Sequence, residues 1–344
     1  LNHNKEFKNN FRSYEIKSIN IDGIKSFTLE NKIYEIDDCR IYTDTNEHVA
    51  VIKDNTIIPK ISYQQILGEL KESEFNKVLE IGTPRLIKKI KGTTLTLVQG
   101  GSGENYFHFL FDILTKLAIC EQKFSLDKID NYYVHGNIEW QNKIFALFGI
   151  DKKRLISSKV YRHIKVDKLI SIDHPWYHKG YVQNEIANIP EWIIFWLRSR
   201  FLKISKKFDC NKKIFIDRSD SKFKHCQLVN NDEIIKFLEI KGFTSYKISK
   251  LNFLEQVYLF NNAKIIIGPH GAAFSNIIFS KPSTKIIELI PKSHSSIKCQ
   301  KISNILKLDY TKVIRPEISS QDHLGDMEIK VEEIDGILRQ LNID

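Results

Sequence analysis

Two histidine-centred groups in this sequence have residue types and spacing that could do chemistry. In the run Asn105-Tyr106-Phe107-His108-Phe109-Leu110-Phe111-Asp112, an imidazole and a carboxylate stand four residues apart. On a helix that spacing lets the two side chains touch. A carboxylate beside an imidazole orients the ring and raises its proton affinity, which suits a general base. The same pair also serves as a structural tie between a helix and its neighbour, and spacing alone does not choose between the two.

The second group is Gly268-Pro269-His270-Gly271-Ala272, between an apolar run at 264–267 and a segment carrying Asn276. A strand feeding a glycine loop and then a helix start is where α/β proteins hold phosphate, because backbone N–H groups and the helix dipole favour an anion. His270 itself is open to three readings: phosphate ligand, sugar contact or loop scaffold. Arg218 stands directly after the strand pattern at 213–217. Ligands of open α/β sheets lie outside such strand ends, and an Arg there can grip a phosphate with two parallel N–H groups. It belongs to a basic run, with Lys/Arg at 206, 207, 212, 213, 218, 222 and 224 against three Asp.

These residues need elements to hold them. The pattern predicts a strand over 94–98, a loop over 100–103 and a helix over 105–120. At helical pitch, Asn105, His108, Asp112 and Thr115 share one stripe, while Phe107, Leu110, Phe111, Leu114, Leu117 and Ala118 lie opposite. The helix is therefore expected to be mostly buried, with one polar stripe facing a cleft. Gly101-Ser102-Gly103 is no nucleotide fingerprint, since it lacks the P-loop lysine and Tyr106 stands at the third Rossmann glycine. Residues 1–60 read as a small β-rich lead-in, and 61–92 as a helix with a turn at Gly82-Thr83-Pro84. Strands at 132–134 and 168–172 alternate with helices at 140–148 and 191–203. The loop His174-Pro175-Trp176-Tyr177-His178 could line an acceptor site, since aromatic faces suit sugar rings, but packing explains it as well. A hinge is expected just after 203. Beyond it, strands are expected at 213–217, 246–248, 264–267, 285–290 and 310–314, and helices at 231–241, 253–262 and 297–307. A closing helix at 331–341 is expected to pack back on the first domain. The resulting division is lead-in 1–60, first domain 61–204 and second domain 205–344.

A chain of 344 residues suits two domains, and 42% hydrophobic with 27% charged residues describes a globular protein. The net charge of +10 suggests an anionic partner, such as a nucleotide, a phospholipid surface or nucleic acid. A lysine-rich, merely solvated surface explains that charge equally well. No RNP, zinc-finger or helix-turn-helix signature is present, so nucleic acid is not expected. Five cysteines without a C-x-x-C pair argue against a disulfide framework or zinc site and for a reducing, cytoplasmic setting. No charged-then-apolar leader opens the chain, and the longest uncharged run, 265–280, is below spanning length. A soluble protein is expected, with peripheral contact at the inner face of an anionic membrane. The chain opens on Leu1 rather than Met, which leaves room for residues upstream.

Together these residues resemble glycosyltransferase family 61, in its bacterial type. One block is Asn105-Tyr106-Phe107-His108-Phe109 with Asp112. The other runs from Ile214-Phe215-Ile216-Asp217-Arg218 through Asn230, Gly242-Phe243, Phe253-Leu254-Glu255-Gln256 and Gly268 to Ala272, then Asn276, Phe279, Pro282, Glu288 and Pro291. The resemblance implies an α/β, GT-B-like architecture, with two Rossmann-like domains facing across a cleft. It implies inverting, metal-independent transfer of a hexosyl or pentosyl group from a nucleotide-sugar to a hydroxyl. The acceptor would be a glycan or lipid-linked glycan, in cell-surface polysaccharide synthesis. No cofactor is implied, because the nucleotide-sugar is a substrate. Carried residue by residue, Arg218 and the Gly268, His270, Gly271 and Ala272 loop hold the donor diphosphate. Asn276 is a nearby contact, and Glu288, at a strand end, meets ribose or sugar hydroxyls. Lys224 and Asn230 fall on the donor side too. Family members often have a second Arg shortly after the first, where this chain has Lys222, Lys224 and His225. His108 with Asp112 becomes the acceptor's base, with Asn105, His174 and Trp176 on the acceptor side. No D-x-D triplet offers a metal site; the nearest acidic pair is Asp37-Asp38. The alternatives are a nucleotide-sugar or other anionic-ligand binder without transferase activity, and a hydrolase, which lacks a G-x-S-x-G elbow.

Overall fold

The computed structural model describes residues 1–3, 11–23, 25–44, 47–99, 103–221, 224–318 and 325–343. The chain forms two compact units, Leu1–Trp196 and Leu197–Asp344, whose boundary falls inside the helix Glu191–Phe201, ahead of the expected hinge.

In the first unit the described strands are β1 (Asn2–His3), β2 (Arg12–Ile21), β3 (Lys25–Thr43), β4 (Val49–Lys53), β5 (Thr56–Ile57) and β6 (Gln64–Ile66). They are followed by β7 (Glu69–Lys71), β8 (Lys88–Thr96), β9 (Asn131–Val134), β10 (Leu155–Ser157), β11 (His163–Ile172) and β12 (Gly180–Tyr181). The main sheet has the order β1-β5-β4-β3-β11-β8-β9-β10, with β2 paired to β3, while β6, β7 and β12 form a small second sheet. The β-rich lead-in is therefore not set apart. β3 pairs antiparallel with β11 from Tyr42↔His163 to Ile33↔Ile172. Its residues Ile33, Tyr34, Ile36, Cys39 and Ile41 are all buried, which requires cover that a free-standing lead-in lacks. The helix expected within 61–92 is replaced by the β6–β7 hairpin and a single turn at Val78–Ile81.

The other half of this sheet, β11-β8-β9-β10, is parallel. The chain enters at β8, steps outward to β9 and β10, and returns to the opposite side of β8 as β11. That reversal opens a crevice outside the carboxyl ends of β8 and β11, the usual place for a ligand in such sheets. The segment after β8 lies at this edge. Asn105 caps the helix start, its Oδ1 accepting the N–H groups of Phe107 and His108 at 2.9 and 3.3 Å. The α-turn Tyr106–His108 then widens into a π-helix over Phe109–Leu114 before α-helix resumes at Thr115–Cys120. Such π segments recur at functional sites.

The second unit is a five-stranded, all-parallel sheet of β13 (Lys213–Asp217), β14 (Thr244–Lys247), β15 (Ile265–Pro269), β16 (Lys285–Pro291) and β17 (Asp309–Arg315). The order β14-β13-β15-β16-β17 reverses between β13 and β15, so this unit has its own switch point. The helices Asn231–Ile240, Phe253–Asn262 and Lys298–Leu306 lie where expected, the second opened by a capping box between Asn252 and Glu255. In the closing helix Val331–Gln340, Ile334 and Leu338 pack with Ile234, Leu238 and Phe243 in the second unit's own core. All five cysteines are free thiols; Cys39, Cys120, Cys226 and Cys299 are buried, and Cys210 is partly exposed. Among the described residues, no helix is long and apolar enough to cross a membrane.

Candidate active site

At the first unit's crevice, His108 Nδ1 lies 2.7 Å from Asp112 Oδ2. The same carboxylate accepts the indole N–H of Trp176 on Oδ1 at 2.7 Å and the amide of Gln99 on Oδ2 at 3.1 Å. Gln99 follows β8 and His174 follows β11, and the Gln99 amide is also 3.0 Å from His174 Nε2. Burial opposes the negative charge of Asp112, but the imidazoles of His108 and His174 outweigh it and hold the carboxyl well below its ordinary range. His174 is fully buried, and burial lowers its pKa to about 4 against the pull of Asp112, so its ring is neutral at pH 7. Asp112 is thus an anion fastened by Trp176 and Gln99, with its charge directed at His108. Since Nδ1–H serves Asp112, Nε2 of His108 remains as the basic nitrogen, and this ring is 8% exposed while Asp112 is fully buried.

One turn beyond Asp112 lies Lys116, 2% exposed, with Nζ 5.5 Å from the Tyr63 ring centre. Burial pulls its pKa down to about 8, against the opposing charges of Asp112 and Asp173.

At the second unit's switch point, Arg218 follows β13 and the His270-Gly271 loop follows β15. The guanidinium lies across Gly271, so that a Cβ there would meet Arg218 Nη1 at 1.9 Å and Cζ at 2.4 Å. Nη1 is buried without a hydrogen-bond partner, Nη2 has the Ser221 hydroxyl at 3.4 Å, and burial lowers the guanidinium's pKa. Burial outweighs the pull of Asp326 and Asp220 on this guanidinium, and a buried N–H group without a partner is costly, a cost that an anionic ligand would repay. A second cation sits behind the loop. Lys298 is 5% exposed, and its Nζ donates to the Gly271 carbonyl at 3.1 Å and approaches Ser275 Oγ at 3.5 Å. His270 Nδ1 is 2.5 Å from Glu288 Oε1, and Glu288 also accepts the Tyr310 hydroxyl at 2.6 Å and the Cys299 thiol at 3.1 Å. Burial pushes the Glu288 carboxyl up, but His270 and these donors prevail and bring it to about 2. Burial in turn lowers the pKa of His270, against the pull of Glu288.

His270, Glu288 and Cys299 bring three metal-capable atoms within 4.8 Å of one another. Both Glu288 oxygens there already accept hydrogen bonds, and the nearby Arg218 and Lys298 add positive charge that opposes a cation.

The structure brings several sequence-predicted residues together. His174 and Trp176, expected on the acceptor side, join Asp112 directly. Asn105 is the cap of the helix that carries His108. Gly268 runs so close to the neighbouring strand that a Cβ would meet Ile216 Cβ at 2.9 Å. Ala272 opens a 3₁₀-helix, Ala272–Phe279. Other predicted residues are engaged elsewhere. Asn276 is fully buried and donates to Gln256 at 3.1 Å. Asn230 donates to the Ile329 carbonyl at 2.9 Å and to Glu233 at 3.0 Å. Lys224 is exposed. Glu288 lies in the middle of β16, opposite Gly268, and not at the strand end. The loop 100–102 and Lys222 fall outside the described residues. Sequence reasoning missed Gln99, Lys116, Lys298 and Tyr310. Lys116 was within reach, because it falls on the same helical stripe as Asn105 and Asp112. Lys298 opens the helix after β16, a position that parallel sheets place at the ligand edge.

The profile of the family described as Glycosyltransferase 61 matches residues 106–287, more than half of the chain. No match was found among curated proteins. The matched segment includes His108, Asp112, His174, Trp176, Arg218 and the His270-Gly271 loop, and the chain belongs to the glycosyltransferase 61 family.

Proposed function

We propose that this protein is an inverting, metal-independent glycosyltransferase with one half-site in each unit, the division that a GT-B-type reading implies. The second unit holds a nucleotide-sugar by its diphosphate, and the first activates the hydroxyl of a glycan or lipid-linked acceptor. The observation that carries this reading is Arg218, a buried guanidinium with an unpartnered nitrogen, laid over Gly271 at the switch point of a parallel sheet. In the proposed reaction, His108 Nε2 takes the acceptor hydroxyl's proton as that oxygen bonds to the anomeric carbon. The bond from that carbon to the diphosphate oxygen breaks with inversion. Arg218, Lys298 and the first N–H groups of the Ala272–Phe279 helix take up the charge that develops on the leaving group. Asp112 keeps the imidazole in its working tautomer and stabilises it once protonated. Synthesis of cell-surface polysaccharide on the cytoplasmic side is the setting we infer.

The test is a screen of UDP-, GDP- and CMP-sugars for binding and nucleotide release, with and without EDTA. Turnover unaffected by EDTA is expected; its abolition would remove the metal-free mechanism. Donor binding without turnover on any glycan would favour a binding protein. His108→Ala should collapse turnover with donor affinity close to wild type. Arg218→Ala should weaken donor binding by about 2–5 kcal/mol. Equal losses of affinity and rate in His108→Ala would contradict its role as base.

A further inference from the structure

The amino ends of β8 and β11 lie at the edge of the first unit's sheet opposite the crevice. Here the segments 84–89 and 160–163 run side by side. Lys88 pairs with Ile164, His163 Nδ1 bonds the Pro84 carbonyl at 2.8 Å, and Lys88 Nζ sits 5.3 Å from the Tyr161 ring centre. Four large apolar side chains stand out of this surface: Leu86 is 89% exposed, Val160 68%, Tyr161 41% and Ile87 39%. Around them Arg85, Lys88, Lys89 and Arg162 are exposed. Neither 84–91 nor 155–166 contains an Asp or Glu. Two lysines of 155–166 are paired with acids from other segments, Lys159 with Glu104 and Lys165 with Asp38, as is Lys168 with Glu35 just beyond it. A merely solvated basic face would look like those pairs and would not display Leu86 and Val160.

We propose that this face docks the protein on an anionic lipid bilayer. Four cations that form no salt bridge among the described residues meet the headgroups, while Leu86, Ile87, Val160 and Tyr161 enter the boundary between headgroups and acyl chains. A nucleic acid would satisfy the cations but leave those apolar side chains in water. The docking has a geometric consequence. β8 and β11 run away from the membrane, and the nine residues of β8 span about 30 Å. The His108 crevice at their far ends therefore stands off the bilayer, and a lipid-linked acceptor must carry a glycan long enough to reach it.

Flotation of the full chain with vesicles of phosphatidylcholine alone, or of phosphatidylcholine with phosphatidylglycerol, tests this. Binding is expected only with phosphatidylglycerol and should weaken as salt is raised. Lys88→Gln with Lys89→Gln should cost about fivefold in affinity per charge. Leu86→Ser with Val160→Ser should cost about tenfold. Both double variants alter exposed side chains, and unchanged thermal unfolding confirms that they fold. Equal binding to both vesicle types, or no binding to either, overturns the proposal. So does wild-type binding by the Leu86/Val160 variant, or tight binding to a single-stranded oligonucleotide that depends on the lysines and not on Leu86.

Discussion

Gly271 shows how a single missing side chain makes room for another. Its φ of 167° is ordinary extended backbone, so alanine there meets no backbone strain. The obstacle is steric, since the new Cβ would occupy the space of the Arg218 guanidinium. Gly271→Ala is therefore expected to displace Arg218 and to lose about as much donor affinity as Arg218→Ala. The double variant should add little to either single change, because both act on one guanidinium. Titration calorimetry on the three variants checks this, and additive losses would separate Gly271 from Arg218. At this scale the sequence was partly legible. The spacing of His108 and Asp112 announced their contact, and Arg218 announced itself by standing at a strand end. The partners of Asp112 did not: Trp176 lies 64 residues away, and only the return of the chain as β11 brings it to the carboxylate. Glu288, carried over from the resemblance as a strand-end residue, instead sits mid-strand as a buried anion beside its partner His270.

At the scale of elements, each unit uses the same device, a reversal of strand order that leaves polar side chains at carboxyl ends. In the first unit those side chains form a network with a definite acid limit. The folded pKa of His174, about 4, lies below its ordinary 6.5. Its stabilising contribution is therefore complete above 6.5 and disappears as pH falls through about 4, amounting to about 3 kcal/mol. Asp112 is also depressed, so its contribution is lost at lower pH still, below the ordinary carboxylate range. Urea unfolding across this window should show stability declining from near pH 6.5 downward, and His174→Gln should flatten that segment. A wild-type profile level down to pH 4 would contradict the buried neutral ring. Periodicity read the second unit well because parallel strands covered on both faces are continuous apolar runs, as Ile265-Ile266-Ile267 shows. The first unit was harder. Its sheet is mixed, with the long β3 reaching from the lead-in to β11, and the short β6–β7 hairpin lacks the apolar run that would mark it as strand. A π-helix at 109–114 has no signature in a pattern read at α pitch.

For the whole molecule, division into two units was foreseeable from length, though the boundary inside Glu191–Phe201 was not, because that segment reads as one continuous helix. Among the cations behind the charge of +10, Arg218 and Lys298 are buried, while those around Leu86 are exposed. The buried thiols carry a different consequence. Burial lifts Cys39 and Cys120 to about 12, and Cys299 well above its ordinary value, so none is a thiolate while the protein is folded. Each unit thus holds two concealed thiols, Cys39 and Cys120 in one, Cys226 and Cys299 in the other. Iodoacetamide should label Cys210 first in the native protein, and in rising urea the two thiols of each unit should become reactive at a shared midpoint. Separate midpoints for Cys39 and Cys120 would show that the first unit opens in pieces. Peptide masses after such a pulse would record, in covalent label, which half of the chain had opened and when.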